Sequence, residues 1–280
     1  MTPDQHRNEA LRLARRSDHM VTYNLLCGGG PPGRPRGARA TPRPTKLFDD
    51  FFYVGLGSVG AYVIRTSAGL ILIDALHNED EARDVIVPGI RSLGLDPAQI
   101  RYVVISHGHM DHYGGARYIA ETYGARVVAS AADWELMRGP RAPARDLVAV
   151  DGQDLTLGDF SMTLVHTPGH TPGTLSFIIP VSHLGTRHTL AMWGGTGLPR
   201  HPAARRQYVA SLERFEKLAR EARVDVVLSN HPFVDGSLTK MNTLRADPAG
   251  PNPFVIGQDR YADFIGILKH CVSATIVAGS

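Results

Sequence analysis

The sequence predicts an α/β fold, an αββα sandwich in which two mixed β-sheets stack face to face between layers of helices. Short runs rich in β-branched and aromatic residues alternate with helical patterns from Phe48 onward. Strands followed by strand–helix units occur twice along the chain. The 280 residues are 43% hydrophobic, enough for a sizeable core. Two stacked sheets with helices outside bury such an apolar set.

The chain begins with two segments that lie outside this domain. Apolar residues at helical spacing predict a helical segment over residues 1–27, with a break near Ser17 and Asp18. Residues 28–46 are rich in proline, glycine and arginine and predict an irregular linker, because proline lacks a donor and glycine costs backbone entropy. This linker is either a solvated tether or an anion-binding arm. Residues 47–280 form the predicted main domain.

Within that domain, three strands come first and should pair as an antiparallel meander: "FFYVGLG", "AYVIRTS" and "GLILIDA". A helix over residues 79–93 is imperfect because of Pro88 and Gly89. The strands "YVVIS" and "RVVAS" follow, with helices over 116–123 and 131–137. The second half predicts strands at "DLVAV", "LTL", "FSMTLVH", "TLSFIIP", "HTLAMWG" and "DVVLS", and helices over 203–222, 236–245 and 259–271.

Composition excludes several partners. The net charge is +3, but the linker contains five basic residues: Arg34, Arg36, Arg39, Arg43 and Lys46. Without them, 25 basic residues stand against 27 acidic ones. A nucleic-acid partner is therefore not expected. No apolar run is long enough to span a bilayer, so no membrane partner is expected. As given, the chain reads as cytoplasmic; it would be periplasmic or secreted if a signal peptide had been removed.

Cys27 and Cys271 are the only cysteines. They form no Cys-x-x-Cys spacing, so we expect neither a disulfide nor a cysteine zinc site. A metal site in this chain must use nitrogen and oxygen ligands.

The stretch "ISHGHMDHYGG", residues 105–115, concentrates ionisable side chains directly after a buried-strand pattern. His107 and His109 alternate and can face one point from an extended loop, while Asp111 and His112 can face a second point nearby. Leaving these groups together without a partner would be costly. The spacing therefore indicates a pair of cations.

Two more histidines follow strands further along the chain. His170 lies between two Thr-Pro-Gly turns, and His231 follows the buried strand "DVVLS". Both can converge on the same sheet edge as His107. His166 is closer to a strand end, and we interpret it as structural rather than as a ligand.

The motif His107-x-His109-x-Asp111-His112, followed by "TPGHTPGT" and a late histidine after a strand, resembles the metallo-β-lactamase fold superfamily of zinc hydrolases. The similarity runs from about Phe48 to the last helix. It implies that His107, His109 and His170 hold one zinc ion and that Asp111, His112 and His231 hold another, giving two zinc ions per chain.

The sequence departs from most of that superfamily at "HTLAMWGGTG". Most members have an aspartate there that bridges both metals, whereas this stretch has no Asp, Glu or Cys. The arrangement resembles the third (B-three) subclass of metallo-β-lactamases, as does the long helix before "VDVVLSNHP". Where those enzymes have a serine in an Ala-Asp-Ser turn, Thr196 is the nearby hydroxyl.

These residues predict hydrolytic chemistry. Three neutral imidazoles leave a zinc ion with an open position, and a bound water then has a pKa of roughly 7. Asp111 is the candidate catalytic residue, placed to orient that water and return a proton to the leaving group. Asp74, at the end of "LILID", either fixes a histidine tautomer or caps a turn. For Tyr113, packing is the preferred interpretation over an oxyanion contact.

We therefore expect a dinuclear zinc hydrolase with a small-molecule substrate, a cyclic amide, with β-lactams as the best single choice. The first alternative is a cytoplasmic hydrolase of the same fold acting on a lactone, ester or thioester. The second is a non-catalytic metal-binding protein on the same scaffold. A nuclease is disfavoured because only the linker is basic. An iron redox role is disfavoured because flavodiiron proteins, which are related to the superfamily that this sequence resembles, have a glutamate at the position of His109. Residues 1–46 either cover the mouth of the site or extend from the body.

Overall fold

Two β-sheets lie face to face, with helices against their outer faces, in a computed structural model that describes residues 1–28 and 41–277. The predicted αββα sandwich is confirmed. Residues 29–40, most of the predicted linker, lie outside the described residues, as do residues 278–280.

The first sheet has seven strands, which lie side by side in chain order. Its strands are β1 Thr45–Phe48, β2 Phe51–Tyr53, β3 Tyr62–Thr66, β4 Gly69–Ile73, β5 Ile100–Val104, β6 Arg126–Ser130 and β7 Leu147–Ala149. Strands β1 to β4 pair antiparallel, which includes the predicted meander, and β4 to β7 pair parallel.

The second sheet has five strands in the order β12-β11-β10-β9-β8. Its strands are β8 Gln153–Leu157, β9 Phe160–His166, β10 Leu175–His183, β11 Thr186–Trp193 and β12 Val226–Ser229. Only the pair β11 and β12 is parallel among its named strands. The carboxyl ends of β11 and β12 therefore point the same way.

The helices fill the outer layers and the chain ends. They are α1 Pro3–Ser17, α2 Met20–Leu26, α3 Glu79–Glu81, α4 Val87–Ser92, α5 Met110–Tyr113, α6 Ala116–Tyr123, α7 Ala131–Leu136, α8 Pro202–Glu221, α9 Ser237–Ala246 and α10 Gln258–Val277. A π-helical segment, Ala82–Ile86, joins α3 to α4, and Pro97–Gln99 is a 3-10 turn. The predicted break between α1 and α2 falls at Asp18, which has a left-handed φ of 59°.

Three apolar layers hold the sandwich together. Facing residues of the two sheets, such as Tyr53 and Phe177, pack between them. A second cluster packs helices such as α6 on the outer face of the first sheet. A third, around Trp193 and Phe215, packs α8 and α10 on the outer face of the second sheet. Burial of this apolar area is the main stabilising contribution.

Some boundaries differ from the sequence prediction. Strand β1 begins at Thr45, so the last two residues of the predicted linker pair with β2. Helix α10 extends six residues past its predicted end, because Val272 and Ala274 continue its buried face. The "DLVAV" strand joins the first sheet as β7. No helix among the described residues is long and apolar enough to cross a bilayer.

The expectation of no disulfide is wrong. Cys27 and Cys271 form a disulfide between the end of α2 and α10, although 244 residues separate them in sequence. Their Cα atoms are 5.1 Å apart because α1 and α2 pack along α10, burying Ala10, Ala14 and Ile267 between them. Cysteine spacing carries no signal for a contact between the two ends of a chain.

Candidate metal centre

The predicted site residues meet where strands from both sheets end. In the first sheet, β5 ends at Val104, and the loop carrying His107 follows. In the second sheet, β12 ends at Ser229, two residues before His231. The connection from β9 to β10 carries His170. The predicted single sheet edge is wrong, because β5 and β12 belong to different sheets. The side chains meet because the stacked sheets bring these strand ends together, with the His112 and His231 ring centroids 5.1 Å apart.

The loop after β4 braces the histidine segment through backbone contact. A Cβ atom on Gly114 would lie 1.9 Å from the carbonyl oxygen of His77, so only glycine allows this approach. Asp74 and Leu76, in the same loop, both have a φ of 61°, in the left-handed region. Non-glycine residues rarely adopt this conformation, and they cluster at functional sites.

The first cluster contains His107, His109 and His170, whose ligand atoms all lie within 4.8 Å of one another. The Nε2 atoms of His107 and His170 are 3.1 Å apart. Backbone carbonyls fix both rings from behind: His107 Nδ1 donates to Gly194 O at 2.8 Å, and His170 Nδ1 donates to Gly197 O at 2.7 Å. These bonds select the tautomer that leaves each Nε2 lone pair facing the cluster.

The second cluster lies beside the first. The ligand atoms of His107, Asp111 and His112 fall within 4.8 Å of one another. An Asp111 carboxylate oxygen is 3.5 Å from His112 Nε2 and 4.0 Å from His231 Nε2. His231 Nδ1 donates to Ser58 O at 2.7 Å. The structure thus brings all six predicted residues together, and their role as metal ligands stays a prediction.

Asp74 lies beneath the second cluster, and of its two sequence interpretations the geometry matches the orientation of a histidine. Its carboxylate accepts a hydrogen bond from His112 Nδ1 at 2.7 Å. It also accepts from the backbone N–H of Ser106 at 2.7 Å and from the Ser106 hydroxyl at 2.8 Å. Asp74 and His112 are both fully buried, so this contact fixes the ring.

Burial keeps most of these histidines neutral. It lowers the pKa of His107, and it lowers the pKa of His170 to about 3 and that of His231 to about 4. The pKa of His109, whose side chain is only partly shielded from water, is also lowered, chiefly by desolvation of its ring. A neutral imidazole is the form that binds a metal.

The charges differ at the second cluster. Burial alone would lower the pKa of His112, but the carboxylates of Asp74 and Asp111 outweigh it and raise that pKa to about 10. Burial alone would raise the pKa of Asp111, but His112 and His231 hold it well below its usual range. Asp111 is therefore ionised throughout the neutral range.

The donor set fits zinc. His112 Nε2 is buried without a hydrogen-bond partner among the described residues, although its Nδ1 is fully used by Asp74. An orphaned nitrogen of this kind is costly unless something binds it. Imidazole nitrogens with one carboxylate and no thiolate are ligands that zinc accepts, with histidine distances of about 2.0–2.1 Å.

Gly194 and Gly195 directly follow β11, in a stretch that has no carboxylate. A Cβ atom on Gly195 would lie 2.5 Å from His170 Cβ, so a side chain there would displace the ring. The next residue, Thr196, is 2% exposed, and its hydroxyl lies 3.0 Å from the Ser229 hydroxyl. Asp111 is thus the one carboxylate among the six clustered residues.

Other predicted residues lie outside the two clusters. His166 is the last residue of β9 and belongs to neither group of ligand atoms. Tyr113 is 6% exposed and packs in the core beneath the first sheet. Thr22 of α2 donates to Val234 O at 2.8 Å, so the N-terminal helices contact the turn three residues after His231.

Sequence reasoning missed two residues that support the site. Asn230 is fully buried, and its Nδ2 donates to Gly194 O at 2.6 Å, the carbonyl that also anchors His107. Asp133 accepts hydrogen bonds from the loops on both sides of the first cluster. The polar residue beside His231 in "SNHP" was the available signal for Asn230; Asp133, inside a helix, gave none.

An αββα sandwich with nitrogen and oxygen donors grouped where strands of both sheets end matches the fold and the motif that the sequence predicted. The Metallo-beta-lactamase superfamily model matches residues 54–224. This chain belongs to that superfamily, as its histidine motif predicted.

Curated relatives in sequence include proteins named as N-acyl homoserine lactonases and as hydroxyacylglutathione hydrolases. The N-acyl homoserine lactonase AttM of Azorhizobium caulinodans is 30% identical over 175 residues, which cover 55% of this chain and 65% of that protein. A hydroxyacylglutathione hydrolase of Acidiphilium cryptum is 30% identical over 136 residues, covering 48% and 51%. The chain thus spans from about half to just under two thirds of these relatives.

Solved structures give a different set of neighbours. BJP-1, a subclass B3 metallo-beta-lactamase of Bradyrhizobium japonicum, matches with a TM-score of 0.70 and 27% identity, over 86% of this chain and 93% of that one. FEZ-1 of Legionella gormanii matches with a TM-score of 0.71 and 23% identity, over 81% and 92%. The second likeness supports the fold alone.

Proposed function

We propose that this chain is a dinuclear zinc hydrolase that opens the cyclic amide of a β-lactam. The observation that carries the proposal is the end of β11, where Gly195 packs against His170 and leaves no room for a bridging carboxylate. The second group of ligands then consists of Asp111, His112 and His231. That set resembles the third subclass of metallo-β-lactamases, to which the structural neighbour BJP-1 belongs.

Two groups of ligand atoms support a count of two zinc ions. His107, His109 and His170 offer three neutral nitrogens to the first ion. Asp111, His112 and His231 offer one carboxylate and two imidazoles to the second. When bound, zinc supplies an activated water and polarises the amide carbonyl.

Asp111 is the group that moves the proton. Its side chain is 31% exposed, whereas its neighbour His112 is fully buried, so the carboxylate reaches the open side of the clusters. Asp111 orients the attacking water, accepts its proton and delivers that proton to the amide nitrogen as the C–N bond breaks and the C–O bond forms. Asp74 holds His112 in place meanwhile.

The test compares three substrates with the zinc-reconstituted protein: a chromogenic cephalosporin, an acyl-homoserine lactone and an aryl ester. His109→Ala serves as the blank. We expect kcat/KM for the cephalosporin of about 10⁴ M⁻¹s⁻¹ or more. A cephalosporin rate equal to the blank would overturn the β-lactam assignment.

Lactone hydrolysis is the second candidate, favoured by the relative named as an N-acyl homoserine lactonase. Faster cleavage of the lactone than of the cephalosporin would establish it with the same zinc chemistry. A third possibility, a metal-binding protein without catalysis, predicts no turnover on any of the three. Turnover that disappears with a chelator and returns with zinc would exclude that possibility.

For its location, we propose an oxidising compartment, such as the periplasm or the cell exterior, in place of the cytoplasm expected from sequence. The Cys27–Cys271 disulfide supports this, because such bonds persist where thiols are not kept reduced. The protein should be extracted from its native cells into acid, which stops thiol exchange, and then treated with an alkylating reagent. We expect this treatment to label no free thiol. Two labelled cysteines per chain would contradict the proposal.

A further inference from the structure

A buried carboxylate outside the six clustered residues lies between the two loops that form the first cluster. Asp133 belongs to α7 and is 1% exposed. Its Oδ2 accepts hydrogen bonds from the Gly108 N–H at 2.7 Å and from the Thr171 hydroxyl at 2.7 Å. Its Oδ1 accepts from the Gly173 N–H at 2.9 Å. Burying a carboxylate is costly, and these three donors compensate it.

The three donors come from segments that carry metal-site histidines. Gly108 stands between His107 and His109, on the loop after β5 of the first sheet. Thr171 directly follows His170, in the connection before β10 of the second sheet. Asp133 therefore ties together, across the two sheets, the chain segments whose imidazoles form one cluster.

Few other hydrogen bonds among the described residues join these two segments. The Leu175 N–H donates to Ser106 O at 2.7 Å, at the strand side of both loops. Nearer the histidines, the His109 and His170 ring centroids are 4.7 Å apart. The Asp133 carboxylate links the same two segments through Gly108, Thr171 and Gly173, each within three residues of a histidine of the first cluster.

We propose that Asp133 is a positioning residue for the first cluster, holding His109 and His170 at the spacing that binds the metal. The inference rests on the proposed zinc hydrolase function. It assigns Asp133 no contact with substrate. Supporting groups of this kind commonly change metal affinity by about 10- to 100-fold.

Asp133→Asn is the sharpest variant, because it keeps the shape and changes the donors. An amide offers one acceptor oxygen, and its NH₂ group would face an N–H or O–H that also donates. Thr171→Val is the milder second variant, since it removes one hydrogen bond of the three and keeps the carboxylate. Asp263→Asn is the matched control: Asp263 is likewise buried and accepts from Arg16 and Ser17, but it lies on α10.

The measurements are zinc affinity by competition with a chromophoric chelator, and the visible absorption spectrum of the cobalt-substituted protein. We expect Asp133→Asn to weaken zinc binding about 10- to 100-fold and to change the cobalt bands, with a smaller change of the same sign for Thr171→Val. Asp263→Asn should lower the unfolding temperature of the metal-free protein and leave both metal readouts unchanged.

Wild-type affinity and wild-type cobalt bands in both Asp133→Asn and Thr171→Val would overturn the inference. If Asp133→Asn does not fold, Thr171→Val decides. Zinc binding by the wild type without cephalosporin turnover would refute the substrate assignment alone, and the comparison of variants would still stand. A wild type that binds no zinc would refute both.

Discussion

The edge that carries the two clusters and the contact of α1 and α2 with α10 both bury polar side chains, but they use them differently. Along α10, polar groups pair with protein groups. Asp263 accepts hydrogen bonds from Arg16 and Ser17, and His19 Nε2 donates to Arg260 O at 3.1 Å. At the cluster edge, histidines use Nδ1 for protein contacts and leave Nε2 facing other ligand atoms.

The difference separates polar groups that hold the fold from polar groups prepared to bind. Buried groups satisfied by one another contribute to stability and leave nothing for a ligand. A buried nitrogen such as His112 Nε2, which has no hydrogen-bond partner among the described residues, destabilises the fold unless a ligand binds it. Substitutions in the two regions should therefore have opposite effects on stability and on metal binding.

The largest effect is expected from His109→Ala. His109 is an exposed residue of the first cluster, so its loss removes a ligand without opening a core cavity. Turnover should fall about 10³-fold or more, and the unfolding temperature of the metal-free protein should stay within about 1–2 °C. Steady-state kinetics and calorimetry check this. His183→Ala, at the opposite end of β10, is the control and should keep wild-type turnover.

The double substitution Cys27→Ser and Cys271→Ser should have the opposite result: lower stability with unchanged metal binding. Losing a native disulfide typically removes about 2–5 kcal/mol from the free energy of unfolding. Because the bond joins α2 to α10, zinc affinity and kcat should not change. Denaturant unfolding and chelator competition measure both quantities. Loss of zinc along with stability would show that the two regions are not independent.

A smaller effect is expected from Asp74→Asn. The amide cannot accept from His112 Nδ1 and from both Ser106 donors as the carboxylate does. Zinc affinity of the second cluster should fall about 10- to 100-fold, while the first cluster keeps its metal. Metal analysis after dialysis against a weak chelator should then find one ion per chain where the wild type keeps two. Equal loss of both ions would contradict the separation of the clusters.

The smallest effect is the pH dependence of stability that arises where α1 and α2 contact α10. Burial lowers the pKa of His19 from 6.5 to about 4, and the charge of Lys240 lowers it further, while the hydrogen bond to Arg260 O and the charge of Asp263 oppose this shift. The unfolded chain then binds a proton that the folded chain does not, so stability is lost as pH falls from about 6.5 toward 4. The loss from His19 should be on the order of 1–2 kcal/mol at pH 5.

Denaturant unfolding of the metal-free wild type and of His19→Gln at pH 7.5 and pH 5 measures that loss as a difference, because the buried cluster histidines destabilise both proteins in acid. His19→Gln keeps a donor for Arg260 O and removes the titration, so its stability should change less over the same interval. Equal changes in the wild type and in His19→Gln would assign the acid sensitivity to other groups.

Much of the candidate site could be predicted because its residues follow strands. Periodicity located β5 and β12, so the sequence placed His107 and His231 directly after strand ends. The two strands belong to different sheets, so the stacking of the sheets, which periodicity does not give, brings the two histidines together. The sequence also showed that glycines follow β11 and that this stretch has no carboxylate. The stacked sheets followed in the same way from the order of strands and helices.

The features that could not be predicted from the sequence depend on contacts between distant segments. Cys27 and Cys271 meet because two helices pack on a third, which no spacing rule encodes. Asp133 occupies a helix, where an acidic residue normally faces solvent, and its role became visible only with the loops packed around it. Asp74 had two interpretations until the position of His112 was known.

The backbone contact between Gly114 and His77 has a consequence for how the enzyme could adapt. The loop after β4 cannot move without displacing the segment that carries Asp111 and His112, so this side of the site is rigid. Met110 directly precedes Asp111 and Leu136 lies beside Gly108, and both side chains are exposed, at 45% and 43%. Selection for new substrates should therefore accumulate changes at Met110 and Leu136 and leave the glycine contact untouched.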